Sequence, residues 1–559
     1  MKKVILGILA VISIQYTQAQ NALFIPDTLV GPTFDLIVDY DSLEFSSSNL
    51  TQTAGVNGPI LGPTLIINKG EEVFMNVTNN LIDTTTMHWH GVHLPSEMDG
   101  GPHSKIAPNS TWNATWTGMD HASTMWYHPH LHHTTYKHVM MGVAGMIINR
   151  DEDEAALALP RSYGLDDIPL IIQTKVMDSE HQIDANLANN ALDTMLLVNG
   201  TKDAFHDTPA QLIRFRILNG SAMRTYNIGL STNANFWVIG SDGGLLPAPV
   251  ENNRLLMAPA ERYEILVNLE GLEGQMLQIM NYGEETPSSI YGSGTMMGGG
   301  SIPNYTSNPL NGANYSILTL NVQAPSLNPV FTVPSSLVPT NALNINEVNE
   351  TRDFTFTSTG GATGPFLING NSFDMSQVNY VIPVNNTEIW SFTNQTPIAH
   401  PFHIHDVQFN ILEINGLVPP EHMRGWKDVL LIPGHQGTAK FIAKFEDYTN
   451  PDIPFMYHCH MLVHEDEGMM GQFIVVEKDF EVSVIKNSIF SFYPNPVSDF
   501  ITIKLNNSEN ELLEVYNLNG ALVKKTLINN QNSTIDLSLL VPGIYFLKVG
   551  FEKELFIRY

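Results

Sequence analysis

The sequence predicts an all-β protein made of several sandwich domains, and three observations support this prediction. Short runs of β-forming residues, such as 63–68, 72–77 and 471–476, are separated by Gly, Pro and Asn. Long stretches with helical periodicity are few. Charged residues make up 15% of the chain, below the roughly one quarter typical of globular proteins. The 559 residues are enough for about three or four domains.

Changes in composition indicate where the domains begin and end. They fall near 150–168, 323–350 and 478–490, in stretches rich in Pro, Ser or Asn. The sequence therefore predicts a signal peptide at 1–19, sandwich domains at 20–155, 156–325 and 345–480, and a small C-terminal β-sandwich at 488–559.

The first residues have the features of a secretory signal. Met1-Lys2-Lys3 precedes the apolar run 4–14, and small residues follow before Gln20. A transmembrane anchor is the alternative, but the run is shorter than the roughly 20 residues that a bilayer requires. No later segment is long and apolar enough either, so we expect export without a transmembrane segment.

Charge and cysteine content argue against a nucleic-acid partner and against a disulfide within the chain. Lys and Arg number 27 against 56 Asp and Glu, a formal net charge of −29, which disfavours nucleic acid as a partner. The chain has one cysteine, Cys459, so an intramolecular disulfide is excluded. An exported protein with a single unpaired thiol raises the question of what occupies the sulfur.

The C-terminal segment resembles the C-terminal sorting domain of the type IX secretion system. The matching segments are YPNPVSD at 493–499 and PGIYFLKV at 542–549, within a series of short alternating strands. This resemblance implies passage through the periplasm to the cell surface or the medium, with the secretion machinery as a partner. A carbohydrate-binding or spacer β-domain is the alternative.

Histidines are paired far more often than chance allows. Twenty histidines form five His-x-His pairs, where random placement predicts about 0.7. On a strand, residues i and i+2 share a face with Cα atoms roughly 6.6 Å apart, so each pair can reach two neighbouring metal ions. Four pairs make up this candidate ligand set: His88/His90, His128/His130, His403/His405 and His458/His460.

The remaining histidines are interpreted as surface or supporting residues, with an additional metal site as the less favoured alternative. His132 forms the fifth pair, with His130. The others near the motifs are His93, His103, His121, His133 and His138.

The position of Cys459 suggests a second kind of metal site. It lies between His458 and His460, so on a strand its sulfur points away from both imidazoles. His400 has odd spacing from His403 and can face the sulfur, while His464 and Met469 follow the cysteine at +5 and +10. Two imidazoles, a thiolate and a weak axial thioether form a blue-copper electron-transfer site. Met470 is the alternative axial ligand.

These motifs resemble those of the multicopper oxidases, the family of laccases and bacterial cuprous oxidases. The resemblance covers roughly 21–480 and implies three cupredoxin domains holding four copper ions. The motifs are HWHG (88–91), WYHPH (126–130), HPFHIH (400–405) and HCHMLVHEDEGM (458–469), with supporting segments at 99–102, 214–220 and 242–244.

The resemblance also implies a role for each ligand. His400, Cys459, His464 and Met469 would hold the type 1 copper, and His88 and His403 the type 2 copper. His90, His128 and His460 would hold one type 3 copper, and His130, His405 and His458 the other. The middle domain offers only His181 and His206, which are unpaired, and is interpreted as a spacer.

Two carboxylates are candidates for proton delivery through the same resemblance. Asp99 precedes Gly100-Gly101 and Glu465 follows His464. An ordinary turn residue and a solvated loop charge are the respective alternatives. With His458, Cys459 and His460, these two carboxylates complete the predicted catalytic residues.

The implied activity is that of an exported laccase-like oxidase, which oxidises phenolic or aromatic donors one electron at a time and reduces O₂ to water. A cuprous or other metal oxidase is the first alternative, since the thioethers at Met119, Met140-Met141 and Met296-Met297 suit Cu(I). A copper-binding protein without turnover is the third hypothesis.

Overall fold

The computed structural model describes residues 21–46, 49–295, 302–340, 342–478, 490–505, 511–517, 521–528, 532–550 and 552–558. The predicted signal peptide and Met296-Met297 lie outside these residues. The chain divides into two compact units, Met1–Glu477 and Lys478–Tyr559. None of the helices in the described ranges has the length and apolar character that a membrane crossing requires.

The first section of the large unit contains two sheets. Its elements are β1 (Asn21–Ala22), β2 (Thr28–Val30), β3 (Thr33–Ser46), β4 (Asn49–Val56), β5 (Thr64–Asn68), β6 (Glu72–Asn79), β7 (His88–His90), β8 (Ser110–Thr117), β9 (Ser123–His128), α1 (Thr135–Met141), β10 (Gly145–Arg150) and α2 (Glu152–Ala155). The sheet orders are β4-β3-β6-β8 and β2-β5-β10-β9-β7. Alternation along β6 buries Val73, Met75 and Val77 in the core between them.

The middle section of the large unit also contains two sheets. Its strands are β11 (Asp167–Lys175), β12 (Met195–Val198), β13 (Ala204–Pro209), β14 (Leu212–Asn219), β15 (Tyr226–Leu230), β16 (Phe236–Ser241), β17 (Gly244–Asn252), β18 (Leu255–Met257), β19 (Arg262–Asn268), β20 (Met276–Tyr282) and β21 (Asn314–Gln323). The orders are β1-β13-β21-β20-β15-β18 and β12-β11-β14-β19-β16-β17. Strands β11 and β14 are buried along their whole length, which requires protein on both faces.

One strand departs from the predicted division of the chain. The predicted first domain begins at residue 20, yet β1 pairs with β13 of the middle section, Asn21 opposite Ala204. The chain therefore enters the middle section before it forms the first. The physical reason is that a two-residue strand gains backbone hydrogen bonds wherever a sheet edge is open, which local sequence does not reveal.

The third section repeats the two-sheet pattern and carries the cysteine. Its elements are β22 (Glu350–Ser358), β23 (Phe366–Ile368), β24 (Tyr380–Pro383), β25 (Asn386–Asn394), β26 (His400–Ile404), β27 (Phe409–Ile414), β28 (Val429–Ile432), β29 (Gly437–Phe445), β30 (Phe455–Cys459), α3 (Leu462–Asp466) and β31 (Met470–Val476). The orders are β23-β22-β25-β29-β27 and β24-β31-β30-β26-β28.

Short 3-10 helices connect several strands. They span Ser96–Met98, Leu187–Leu192, Gly283–Glu285, Tyr305–Ser307, Ile345–Glu347, Gly361–Thr363 and Glu421–Met423.

The small C-terminal unit is a β-structure with its own apolar core. Its strands are β32 (Phe490–Tyr493), β33 (Phe500–Leu505), β34 (Glu511–Asn517), β35 (Leu522–Ile528), β36 (Asn532–Asp536), β37 (Gly543–Val549) and β38 (Glu552–Arg558). They form sheets β32-β33-β36 and β35-β34-β37-β38 around residues such as Ile503, Val515 and Leu547. With this unit, the predicted all-β class is confirmed.

Strand register places the paired histidines. On β7 and β9, His88 lies opposite His128 and Trp89 opposite Tyr127. On β26 and β30, His403 lies opposite His458, and Phe402 opposite Cys459. Each strand pair thus presents histidines together on one face, as the two-residue period requires.

Candidate metal centres

The structure brings His400, Cys459 and His464 together in one buried group. The Cys459 Sγ lies 3.5 Å from the Nδ1 atoms of both His400 and His464, which are 3.2 Å apart. His464 has an exposed fraction of 4%, and the other two are fully buried. We call this group the cysteine site.

Local structure explains how Cys459 and His464, which are five residues apart, meet at one site. Helix α3 turns the chain directly after β30 and returns His464 to the sulfur. Met469 is buried, and its backbone is hydrogen-bonded to two residues of the site. Its N–H donates to the His464 carbonyl at 2.8 Å, and its carbonyl accepts from the Cys459 N–H at 3.0 Å. Phe366 packs against both imidazoles, with ring centroids at 4.7 and 4.3 Å.

Burial dominates the electrostatics of the cysteine site. It raises the pKa of the Cys459 thiol far above its usual value and lowers the pKa of His464 to about 3. Neutral imidazoles beside a sulfur form a set of donors that a soft cation would complete, since a metal keeps such a thiol deprotonated.

The eight paired histidines form one buried group, which we call the histidine cluster: His88, His90, His128, His130, His403, His405, His458 and His460. The Nε2 atom of His130 lies 3.0 Å from that of His458 and 3.2 Å from that of His405. The His90 and His128 rings lie 4.9 and 5.2 Å from the His460 ring. Four rings come from the first section and four from the third.

Most of these imidazoles are oriented in the same way. Six have Nδ1 directed outward, towards a backbone carbonyl or a carboxylate, which leaves Nε2 for the centre: His88, His128, His130, His403, His405 and His458. His90 is reversed, because its Nε2 faces the Asp428 carboxylate at 3.2 Å and its Nδ1 lies 3.4 Å from His128 Nε2. Outward partners of this kind orient metal-binding histidines.

The two predicted carboxylates both lie behind cluster histidines. Asp99 accepts a hydrogen bond from His405 Nδ1 at 2.8 Å and lies 3.3 Å from His88 Nδ1. Glu465 lies 3.3 Å from His130 Nδ1 and 3.2 Å from His458 Nδ1. Burial, and then the charge of Asp466, raise the pKa of Glu465 well above its usual value, which favours a neutral carboxyl group able to hold a proton.

A third carboxylate, Asp428, was missed from the sequence. Its side chain accepts from His90 Nε2 and its backbone carbonyl accepts from His403 Nδ1 at 2.9 Å. It lies just before β28 in a segment without metal-ligand spacing. Only the pairing of β28 with β26 could have indicated it, and pairing is not visible in a single sequence.

The other histidines lie outside both groups. His138 Nδ1 contacts Thr85 Oγ1 at 3.1 Å, His103 Nε2 contacts Gln472 Oε1 at 2.9 Å, and His93 lies 3.0 Å from Asp406. His181 is exposed. His206 contacts Thr208 at 2.8 Å, within the middle section.

The donor atoms fit copper in their chemistry. The Nε2 atoms of His88 and His403 and both ring nitrogens of His460 are buried without a hydrogen-bond partner among the described residues. Unpartnered buried nitrogens are costly unless they bind something. Imidazoles around a shared centre, next to a His₂Cys group, are the donors that copper sites use.

Comparison with known proteins also indicates a multicopper oxidase. Residues 37–154 and 338–479 each match a multicopper oxidase family model, and 491–558 match a secretion system C-terminal sorting domain. The multicopper oxidase mco of Staphylococcus epidermidis is 31% identical over 434 residues, which is 77% of this chain and 85% of that protein. The cell division protein FtsP of Escherichia coli is 30% identical over 443 residues, 77% of this chain and 87% of that protein.

Solved structures show the fold. A laccase-like multicopper oxidase from Ochrobactrum sp. with oxidase activity towards lignin model compounds superposes with a TM-score of 0.72 at 32% identity, covering 81% of this chain and 100% of that one. The Campylobacter jejuni metallo-oxidase gives 0.68 at 25% identity, covering 82% and 96%.

Fold and donor groups together define an oxidase of the cupredoxin type. The chain belongs to the multicopper oxidase family, which implies copper and an oxidoreductase that uses O₂. The C-terminal sorting domain suggests export and a surface location.

Proposed function

We propose that this chain is an exported, laccase-like multicopper oxidase that oxidises phenolic or aromatic donors and reduces O₂ to water. The observation that carries the proposal is the covalent connection between its two donor groups. Cys459 of the cysteine site is bonded in sequence to His458 and His460 of the histidine cluster.

Two of the proposed ligand sets contain donor atoms that lie close together in the structure, those of His400, Cys459 and His464 and those of His130, His405 and His458. The other assignments rest on the motif resemblance. His400, Cys459, His464 and axial Met469 would hold the type 1 copper, and His88 and His403 the type 2 copper. His90, His128 and His460, whose rings are neighbours, would hold one type 3 copper, and His130, His405 and His458 the other, which makes four ions. Bound copper would supply one-electron transfer at the cysteine site and four-electron reduction of O₂ at the cluster.

The side chains around the two sites have separable tasks. The Cys459 side chain and the backbone on either side of it provide a path of a few covalent bonds between the sites. Glu465 would hold a proton on its carboxyl group and release it towards the cluster, while Asp99 would orient His405 and His88 and also relay protons. Burial of all eight imidazoles excludes bulk water.

Donor access is expected at His464, the most exposed of the proposed ligands. The solved relatives with matching folds include a laccase from Pediococcus acidilactici, 28% identical with a TM-score of 0.72. That similarity and the Ochrobactrum enzyme support an organic donor for this chain.

A metal donor is the second candidate. Met140 and Met223 are buried and lie with Asp193 and Ala222 around a narrow gap that has no room for a water molecule. The carbonyl of Ala222 accepts from the Leu462 N–H at 2.9 Å, two residues before His464. Thioethers are ligands that Cu(I) prefers, so a Cu(I) donor bound at Met140 and Met223 would lie near the cysteine site.

Oxygen uptake by the copper-loaded protein tests the proposal, with a methoxyphenol or stabilised Cu(I) as the sole donor. Much faster turnover of the phenol is expected. Much faster turnover of Cu(I) would assign the chain to metal oxidation, and a Met223→Leu variant that lost only Cu(I) turnover would place that donor at the methionines. Full copper loading without uptake would contradict the oxidase and leave a copper-binding protein.

The route of export is also proposed, from the signal-like start at 1–19 and the sorting domain at 491–558. The predicted domain boundaries imply that removal of 488–559 leaves the oxidase intact. We expect this truncated chain to remain active but to accumulate in the periplasm. Surface delivery of the truncated chain, measured by protease accessibility on whole cells, would contradict the assignment.

A further inference from the structure

One carboxylate connects all three sections of the large unit. Asp428 belongs to the third section, His90 to the first and Arg262 to the middle section. Arg262 donates to Asp428 through both of its terminal nitrogens, Nη1 to Oδ1 at 2.7 Å and Nη2 to Oδ2 at 2.5 Å. Asp428 Oδ1 in turn accepts from His90 Nε2. All three side chains are at most 1% exposed.

Arg262 is held rigidly because every N–H group of its guanidinium has an acceptor. Nε donates to the Thr124 carbonyl at 3.0 Å, Nη1 also to that of Ala260 at 3.0 Å, and Nη2 also to that of Asp242 at 3.1 Å. With the two bonds to Asp428, all five donors are used. A bidentate pair of this geometry fixes the plane of the carboxylate.

The Asp242 carboxylate is hydrogen-bonded to the backbone of both Arg262 and Asp428. Its Oδ1 accepts from the Arg262 N–H at 2.8 Å, and its Oδ2 accepts from the Asp428 N–H at 3.2 Å and pairs with Lys427 at 2.9 Å. Backbone and side chain of Asp428 are therefore both held by residues of the middle section.

Asp428 is hydrogen-bonded to two stacked imidazoles, those of His90 and His403. The His90 and His403 rings lie 3.7 Å apart and 11° from parallel. The Asp428 carboxylate accepts from His90 and its carbonyl accepts from His403. Because a carboxylate only accepts, the proton of neutral His90 lies on Nε2 and the lone pair on Nδ1, which faces His128.

The backbone at Gly91, next to His90, lies in close contact with the side chains of Arg262 and Asp428. Gly91 has φ of +90°, and a Cβ added there would lie 2.6 Å from Asp428 Oδ2 and 2.7 Å from Arg262 Nη2. The chain after His90 thus lies directly against the Arg262–Asp428 pair. His90 has little freedom to turn its other nitrogen inward.

We propose that Asp428, clamped by Arg262, is a positioning residue that presents Nδ1 of His90 to the histidine cluster, so that the middle section controls how tightly the cluster holds copper. The inference rests on the proposed function, since it takes His90 to be a ligand. It changes the interpretation of the middle section from a spacer to part of the metal-site support.

Copper retention measures this effect directly. Asp428→Asn and Arg262→Gln are each loaded with copper and exposed to rising concentrations of a chelator, while the blue absorption reports the cysteine site separately. We expect cluster copper to be lost at about 10- to 100-fold lower chelator concentration than in the unaltered protein. Arg262→Lys, which keeps the charge but not the bidentate fork, should lie in between.

Arg224→Gln is the matched control. It removes another buried bidentate pair of the middle section, Arg224 with Asp193 at 2.6 and 2.9 Å, which has no contact with a cluster histidine. It should lower the melting temperature of the copper-free protein by a similar amount but leave retention unchanged. Equal copper loss in this control would overturn the proposal, because loss of stability alone would then explain the result.

A second readout needs neither copper nor turnover. In copper-free protein labelled at histidine nitrogen, NMR should show His90 protonated on Nε2, and Asp428→Asn should weaken this preference. Unchanged retention or an unchanged tautomer in that variant would overturn the proposal. Unaltered protein that holds no cluster copper would overturn the proposed function itself.

Discussion

The cysteine site and the histidine cluster lie side by side but are assembled in different ways. The proposed ligands of the cysteine site all lie between residues 400 and 469, in strands β26 and β30 and the segment that follows. The cluster takes four histidines from 88–130 and four from 403–460. Its supporting carboxylates come from both stretches, and one is held by Arg262 of the middle section.

The difference indicates what each site depends on. The cysteine site depends on the pairing of β26 with β30 and on one local turn, and its orienting contacts are few, such as Thr396 on His400 at 2.8 Å. The cluster depends on the packing of three sections, because its outward contacts join residues up to 338 positions apart in sequence. Substitutions at the first should change electron entry alone, whereas substitutions behind the second should change oxygen reduction and copper retention.

Cys459→Ser should have the largest effect. Serine cannot supply the soft thiolate, so we expect the blue absorption and donor oxidation to be abolished. The eight cluster histidines remain, so cluster copper should persist by elemental analysis. A variant that stayed blue would exclude the type 1 assignment, and one that lost all copper would show that the two sites are not separable.

Glu465→Gln should have the next largest effect, on the cluster alone. Glutamine keeps the shape but cannot release a proton, so we expect reoxidation by O₂ to slow by about 100-fold. Anaerobic reduction by the donor should be unchanged, and stopped-flow absorption separates the two steps. Glu467→Gln, at an exposed position two residues further on, is the matched control. Equal slowing of both steps would contradict a role in proton delivery.

In copper-free protein, the free energy of unfolding should depend on pH mainly through the histidine cluster. Burial lowers the pKa of seven cluster histidines: His90, His128, His130, His403, His405, His458 and His460. The unfolded chain protonates these groups below about pH 6.5 while the folded chain does not, so stability falls as the pH falls. For His458 the loss continues towards its folded pKa of about 3.

Thermal unfolding of copper-free protein at about pH 7.5 and about pH 5.5 measures this loss. His128→Gln should reduce the loss of stability between these two pH values by about 1.4 kcal/mol in total, since one group that titrates near pH 6.5 in the unfolded chain changes its protonation across this interval. His181→Gln, at an exposed position, should leave it unchanged. Equal slopes in both variants would contradict the cluster as its source.

Met469→Leu should have the smallest effect. Removing a weak axial thioether leaves the blue absorption but raises the reduction potential of the type 1 copper, by on the order of 60 mV, a tenfold change in one-electron equilibrium. Redox titration measures the shift. Met470→Leu is the control, and a shift there with none at Met469 would make Met470 the axial ligand.

Much of the fold and of the ligand set could be predicted from the sequence. Runs of β-forming residues predict strands, and the predicted runs 63–68, 72–77 and 471–476 coincide with β5, β6 and β31 to within two residues. The two-residue period of a strand likewise separates Cys459 from His458 and His460. These features are local, so a single sequence contains them.

Other features were decided by tertiary structure. Nothing near Asp428 or Arg262 in sequence indicates that they meet, and β1 joins the middle section although it precedes the first. Which nitrogen of His90 faces inward follows from a carboxylate 338 residues away. Residue types and strand periodicity determine which donors the chain offers, but long-range packing sets the contacts that orient and desolvate them.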